Sequence, residues 1–145
     1  MLFQAYSWSI DIPETWLGKV DESCWTFSAQ DPIGALQISL YEKGEVVTDQ
    51  DLLEFLEEHI ADLNLAHDVE GSPKVRKVDA GQFLGYSIQY GIVEDGNEEE
   101  QRWQVWWLRS SEIMLFVTYI CASSEIGIED PIVDSILQSL ERTMN

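Results

Sequence analysis

The chain has 145 residues, 45% of them apolar, which suits one domain with a substantial core. Eight lysines and arginines stand against 27 aspartates and glutamates, a formal charge of −19. That charge repels nucleic-acid phosphates and anionic membranes, so neither is an expected partner, and it attracts a basic protein.

Met1 to Tyr6 carries no basic segment of the secretory kind and runs directly into a strand pattern. The most apolar run, Ile113 to Ala122, is about half the length of a membrane span. A cytoplasmic location follows as an expectation, with Cys24 and Cys121 as reduced, buried thiols on separate strands.

Tyr6, Trp8, Ile10 and Ile12 alternate with Ser7, Ser9 and Asp11, the period of a half-buried strand. Pro13 ends it, and Ile12-Pro13-Glu14-Thr15-Trp16 reads as a turn that pins a tryptophan. Glu22 to Ala29 forms a second strand, and Ala35 to Tyr41 a third beyond the Asp31-Pro32 and Gly34 turn. Short connections predict an antiparallel meander of these three. Thr48 with Asp51 resembles a capping box with the shorter acid. Leu52, Leu53, Leu56, Ile60 and Leu63 follow at helical spacing, with Asp49, Asp51, Glu54, Glu57, Glu58 and Asp62 outside.

After the break at Gly71-Ser72-Pro73, Lys74 to Ala80 is short and polar, suited to a sheet edge that Lys74, Arg76 and Lys77 protect. Phe83 to Val93 alternates Leu84, Tyr86, Ile88, Tyr90 and Ile92 with small or polar residues, and Glu94-Asp95-Gly96-Asn97 turns a hairpin. Gln101 to Arg109 and Ile113 to Ala122 form the next hairpin, turning at Ser110-Ser111, with apolar residues on both faces. Asp130-Pro131 supplies an N-cap and a first-turn proline, and Ile132, Val133, Ile136, Leu137 and Leu140 make the buried stripe of a closing helix. Residues 1–145 thus read as one α+β domain, an antiparallel sheet of about seven strands flanked by two main helices.

No nucleophile elbow or glycine-rich phosphate loop is present. His59 and His67 read as helix residues facing water or the helix dipole. Neither cysteine has a basic sequence neighbour to activate it. Glu94, Asp95, Glu98, Glu99 and Glu100 lack the spacing of a calcium loop and read as a solvated hairpin tip, or as an electrostatic contact for a basic partner. The expectation is a chain that is not an enzyme and takes no metal or cofactor.

The aromatics are the strongest signal. Alternation puts Trp106 on the face opposite Trp103 and Trp107, and one of these faces must meet the helices. Either both faces are covered, or the uncovered one, carrying Trp106 or else Trp103 and Trp107, is an aromatic platform rimmed by Arg102, Gln104 and Gln89. Trp103, Trp106, Trp107, Tyr86 and Tyr90 are the candidate binding residues.

The opening strand running into Ile12-Pro13-Glu14-Thr15-Trp16, the helix beginning at Thr48 after a meander, the long hairpins, and Tyr119-Ile120 leading through Ser124-Glu125 to Ser135-Ile136-Leu137-Gln138-Ser139-Leu140 together resemble the PsbP-like fold. That fold is shared by the extrinsic photosystem II protein, a Ran-binding import factor and the effector-associated chaperones of type VI secretion. The resemblance implies a helix-flanked antiparallel sheet used for assembly or chaperoning. The expected function is a protein-binding module, an adaptor or chaperone whose partner is basic or presents an apolar helix. An immunity-type inhibitor of a basic toxin is one alternative, and a small-ligand binder or enzyme with a helix–sheet pocket is another.

Overall fold

In chain order the elements are β1 (Leu2–Gln4), β2 (Trp8–Asp11), β3 (Trp16–Asp21), β4 (Cys24–Ala29), β5 (Gly34–Glu42), α1 (Asp49–Ala66), β6 (Arg76–Ala80), β7 (Phe83–Ile92), β8 (Gln101–Ser110), β9 (Ile113–Ala122), a 3-10 turn (Ser123–Glu125), α2 (Asp130–Gln138) and β10 (Glu141–Arg142). They come from a computed structural model that describes residues 1–66, 73–93 and 99–143. His67, Gly71-Ser72 and the Glu94-Asp95-Gly96-Asn97 turn lie outside the described residues. The α+β architecture and a seven-stranded antiparallel sheet, in the order β3-β4-β5-β9-β8-β7-β6, are as expected, and a second sheet of three strands, β1-β2-β10, adds to them.

The meander is present, but with a different first member. The alternating segment Tyr6 to Ile12 becomes β2, which pairs with β1 and with β10 from the far end of the chain, Ser9 opposite Glu141. Trp8, Ile10 and Ile12 are buried as expected, whereas Tyr6 is 71% exposed and Ser7 and Ser9 are buried, because β2 is covered on both sides. The outer strand of the meander is β3, in and beyond the stretch expected to be only a turn. It buries only Trp16, so no alternation marks it. Gly18 keeps it close to β4, since a Cβ there would sit 2.9 Å from the ring of Phe27.

Each face of the large sheet carries its own core. On one face α2 and the small sheet bury Trp8, Ile10, Phe27, Leu36, Phe83, Trp106, Leu115, Val133 and Ile136 together. On the other, Leu52, Leu56 and Leu63 of α1 pack on Ile88, Tyr90, Val105, Trp107 and Met114. The central strands β8 and β9 are therefore apolar on both sides, as their sequence requires. Helix α1 lies over β7 and β8. It leaves the β3-β4-β5 half of that face open, where Leu17, Lys19, Gln37 and Tyr41 are exposed.

The helix starts show what their caps do. Asp51 Oδ2 accepts from Thr48 N at 2.9 Å while Thr48 Oγ1 accepts from Asp51 N at 3.2 Å, so the shorter acid completes the capping box. In α2 the cap position is Glu129, one residue before the expected Asp130, whose carboxylate is drawn to Arg102 instead. Ile132, assigned to the buried stripe, is 37% exposed. The β8–β9 turn is Ser111-Glu112, one residue later than expected, with Ser111 at φ 54°.

Candidate functional site

Of the two arrangements that the alternation allows, the covered one is present: α2 with the small sheet lies over one face of β8 and α1 over the other. Trp106 is 6% exposed in the core beneath α2, and Trp107 is 2% exposed beneath α1. Trp103 is half-buried and stacked on the buried Tyr90, with ring centroids 6.0 Å apart. Tyr86 is half-buried on the same side. Arg102, expected at the rim, is buried, and Gln89 is exposed. Of the acidic run, Glu94, Asp95 and Glu98 lie outside the described residues, while Glu99 and Glu100 are exposed and Glu99 Oε1 accepts from Ser124 Oγ.

What the α1 side does offer is a cleft at the helix border. Phe55, Glu58, His59 and Asp62 from α1 and Trp107, Met114 and Phe116 from β8 and β9 enclose about 280 Å³. Phe55 also meets Tyr41 edge to face at 5.4 Å, which marks where the helix cover stops. Beyond it on the same face lie Lys19, Thr26, Gln37 and Thr118, in register from the outer strand to the centre, with Leu17 two residues before Lys19 on the outer strand. On the outer side of α1, Glu54, Glu57, Glu58 and Asp62 are exposed.

His59 departs from the expected solvent-facing residue. Its Nε2 lies 2.8 Å from Tyr90 Oη, and its ring meets Trp107 edge to face at 5.3 Å. Burial lowers its pKa from 6.5, with Asp62 opposing, and burial pushes the Tyr90 hydroxyl up to about 12. At neutral pH the pair is an uncharged imidazole and phenol in an aromatic wall. Among the described residues no group of three or more His, Cys, Asp or Glu is arranged to hold a metal ion. The cleft is equipped to seat an apolar side chain between aromatic rings, with carboxylates at its mouth to meet a cation.

The opposite face holds a buried polar network that the sequence reading did not foresee. Arg102 grips Asp130 with both terminal nitrogens, at 3.1 and 2.6 Å. Glu129 Oε1 accepts from Tyr119 Oη at 2.6 Å and from Gly34 N at 3.0 Å. These bonds tie the start of α2 to β5, β8 and β9. Arg102 Nη2 also lies 3.9 Å from Cys121 Sγ, so this thiol does have a basic neighbour. Burial nevertheless outweighs the guanidinium and raises the Cys121 pKa. Burial, followed by donation to Glu129, likewise raises the Tyr119 pKa. Cys24 and Cys121 are free and face opposite sides of the sheet, and only Cys121 is fully buried. One sequence signal pointed here: alternation puts Arg102 in phase with Trp106 and Leu108, on a face that must be buried.

Sheet order, two-sided helix cover and the position of the helices define an α+β chain with the PsbP-like fold. It is similar to the cyanobacterial PsbP, CyanoP, of Synechocystis sp. PCC 6803, with a TM-score of 0.61 and 12% identity over 99% of this chain and 92% of that one. It is similar to the Saccharomyces cerevisiae Ran-binding protein Mog1p, with a TM-score of 0.62 and 9% identity over 97% and 94%. A Bacteroides thetaiotaomicron structure has a TM-score of 0.68 at 16% identity, and the chain spans only 46% of it. No family model matches the sequence, and no curated protein matches it. These identities establish the fold alone.

Proposed function

We propose that the chain is a non-enzymatic protein-binding module, an adaptor or chaperone, that uses the α1 side of its large sheet. The partner segment is basic and carries an apolar side chain for the cleft between Phe55, His59, Trp107 and Phe116. The observation that carries this reading is the incomplete helix cover: α1 stops at Tyr41, and the cleft at that border is flanked by Glu58 and Asp62, with Glu54 and Glu57 exposed elsewhere on the helix. A net charge of −19 favours encounter with a basic surface. The description of Mog1p as Ran-binding supports a protein partner in general. The two free thiols suit a reducing compartment such as the cytoplasm. The acidic row on α1 also supports the narrower variant in which the partner is a basic toxin that the chain neutralises.

The test compares proteins retained from cell extract by the natural chain and by the Glu54→Lys, Glu57→Lys, Glu58→Lys, Asp62→Lys variant. A set of basic proteins retained at low salt by the first and released by the second supports the reading. Identical sets on both would contradict it.

A further inference from the structure

The two edges of the large sheet are treated differently. At one edge, β6 carries charge at Arg76, Lys77 and Asp79, three of its five residues. Charged edges resist pairing with another strand. At the other edge, β3 pairs with β4 through six successive residues without a bulge, and its outer side faces no strand among the described residues. Five of its six residues are exposed. Leu17 is 61% exposed on the open face and Val20 59% on the opposite one. Gly18 adds no side chain, and Lys19 makes no ion pair among the described residues. An edge strand leaves about half of its N–H and C=O groups unpaired, and β3 has neither proline nor bulge to blunt it.

We infer that β3 accepts an extended segment of a partner protein as an eighth strand. Main-chain hydrogen bonds supply the attachment, and Leu17 and Val20 select aliphatic or β-branched neighbours on the two faces. Glu14, Asp21 and Glu22 are exposed at the strand ends, so basic residues flank the apolar core of the bound segment. A second copy of this chain is the poorer occupant, because each copy carries a net charge of −19. The edge is separate from the α1 cleft, and the inference stands apart from what the cleft binds.

The experiment uses the full chain and the synthetic peptide Lys-Thr-Val-Thr-Val-Thr-Val-Lys, followed by amide hydrogen exchange. Binding is expected to slow exchange of amides within Leu17 to Asp21 by about tenfold or more. The same peptide with a central proline is expected to give no protection. Leu17→Lys with Val20→Lys changes only exposed side chains, and it should abolish protection of β3 while leaving exchange in β8 and β9 unchanged. Equal protection by the proline peptide, or no protection at all, overturns the inference. Protection appearing on α1 instead of β3 also overturns it while leaving the functional reading in place. Self-association of the natural chain that the two lysines abolish would overturn the assigned occupant in favour of a second copy.

Discussion

Arg102 and Asp130 share one ion pair but differ in exposure, with side chains 8% and 30% exposed. Removing the acid strands a buried guanidinium, whereas removing the guanidinium leaves an acid that water reaches. Asp130→Ala is therefore expected to cost about 2–4 kcal/mol in urea unfolding, and Arg102→Met, close in volume, distinctly less. Equal losses would show that the pairing geometry, not the stranded charge, sets the cost. Ser111 sits at φ 54°, in the left-handed region, so Ser111→Gly should raise stability by about 0.5–1 kcal/mol. His59 gives a pH signature. Its folded pKa lies below 6.5, so the unfolded chain binds the extra proton as pH falls through that window. The stability that the neutral ring contributes is complete above 6.5 and is lost on acidification toward the folded value. His59→Gln should flatten that part of the profile. A variant whose unfolding midpoint tracks the natural chain from about pH 8 to about pH 5 would refute this. Thiol titration of the native chain should modify Cys24 first, with Cys121 reacting only on unfolding.

At the scale of elements, legibility followed burial. α1 was readable because capping pair and apolar stripe are local, and β8 and β9 because a centre strand must be apolar on both faces. β3 was not readable, because an edge strand that buries only Trp16 leaves no period to detect. β2 was readable as a strand, but its partner β10 lies at the far end of the sequence, and alternation names a face, never a neighbour. The contact of Gly18 with Phe27 is what lets β3 close on β4. Gly18→Ala is expected to displace that ring and lower stability by about 1–3 kcal/mol, seen as a lower melting temperature. An unchanged melting temperature would mean the ring moves aside without loss.

For the whole molecule, the decisive feature is how much sheet two helices can cover. Trp106 and Trp107 proved to be the centres of two cores, since a strand rich in large aromatics sits where burial is greatest. The candidate site lies instead along the side of α1 where its cover of the sheet ends, on Phe55, His59 and Phe116, and no local pattern marks a helix border. The acids on α1 were legible as a charged helix face, but their place beside an open half-sheet follows only from topology. Photo-crosslinking tests the central claim most directly, with the crosslinker at Phe116 in the cleft or at Ile132 on the opposite side. Partner adducts are expected to form from position 116, not from 132, and to disappear when Glu54, Glu57, Glu58 and Asp62 become lysine. Adducts from position 132, or adducts that persist after the charge reversal, would contradict that claim.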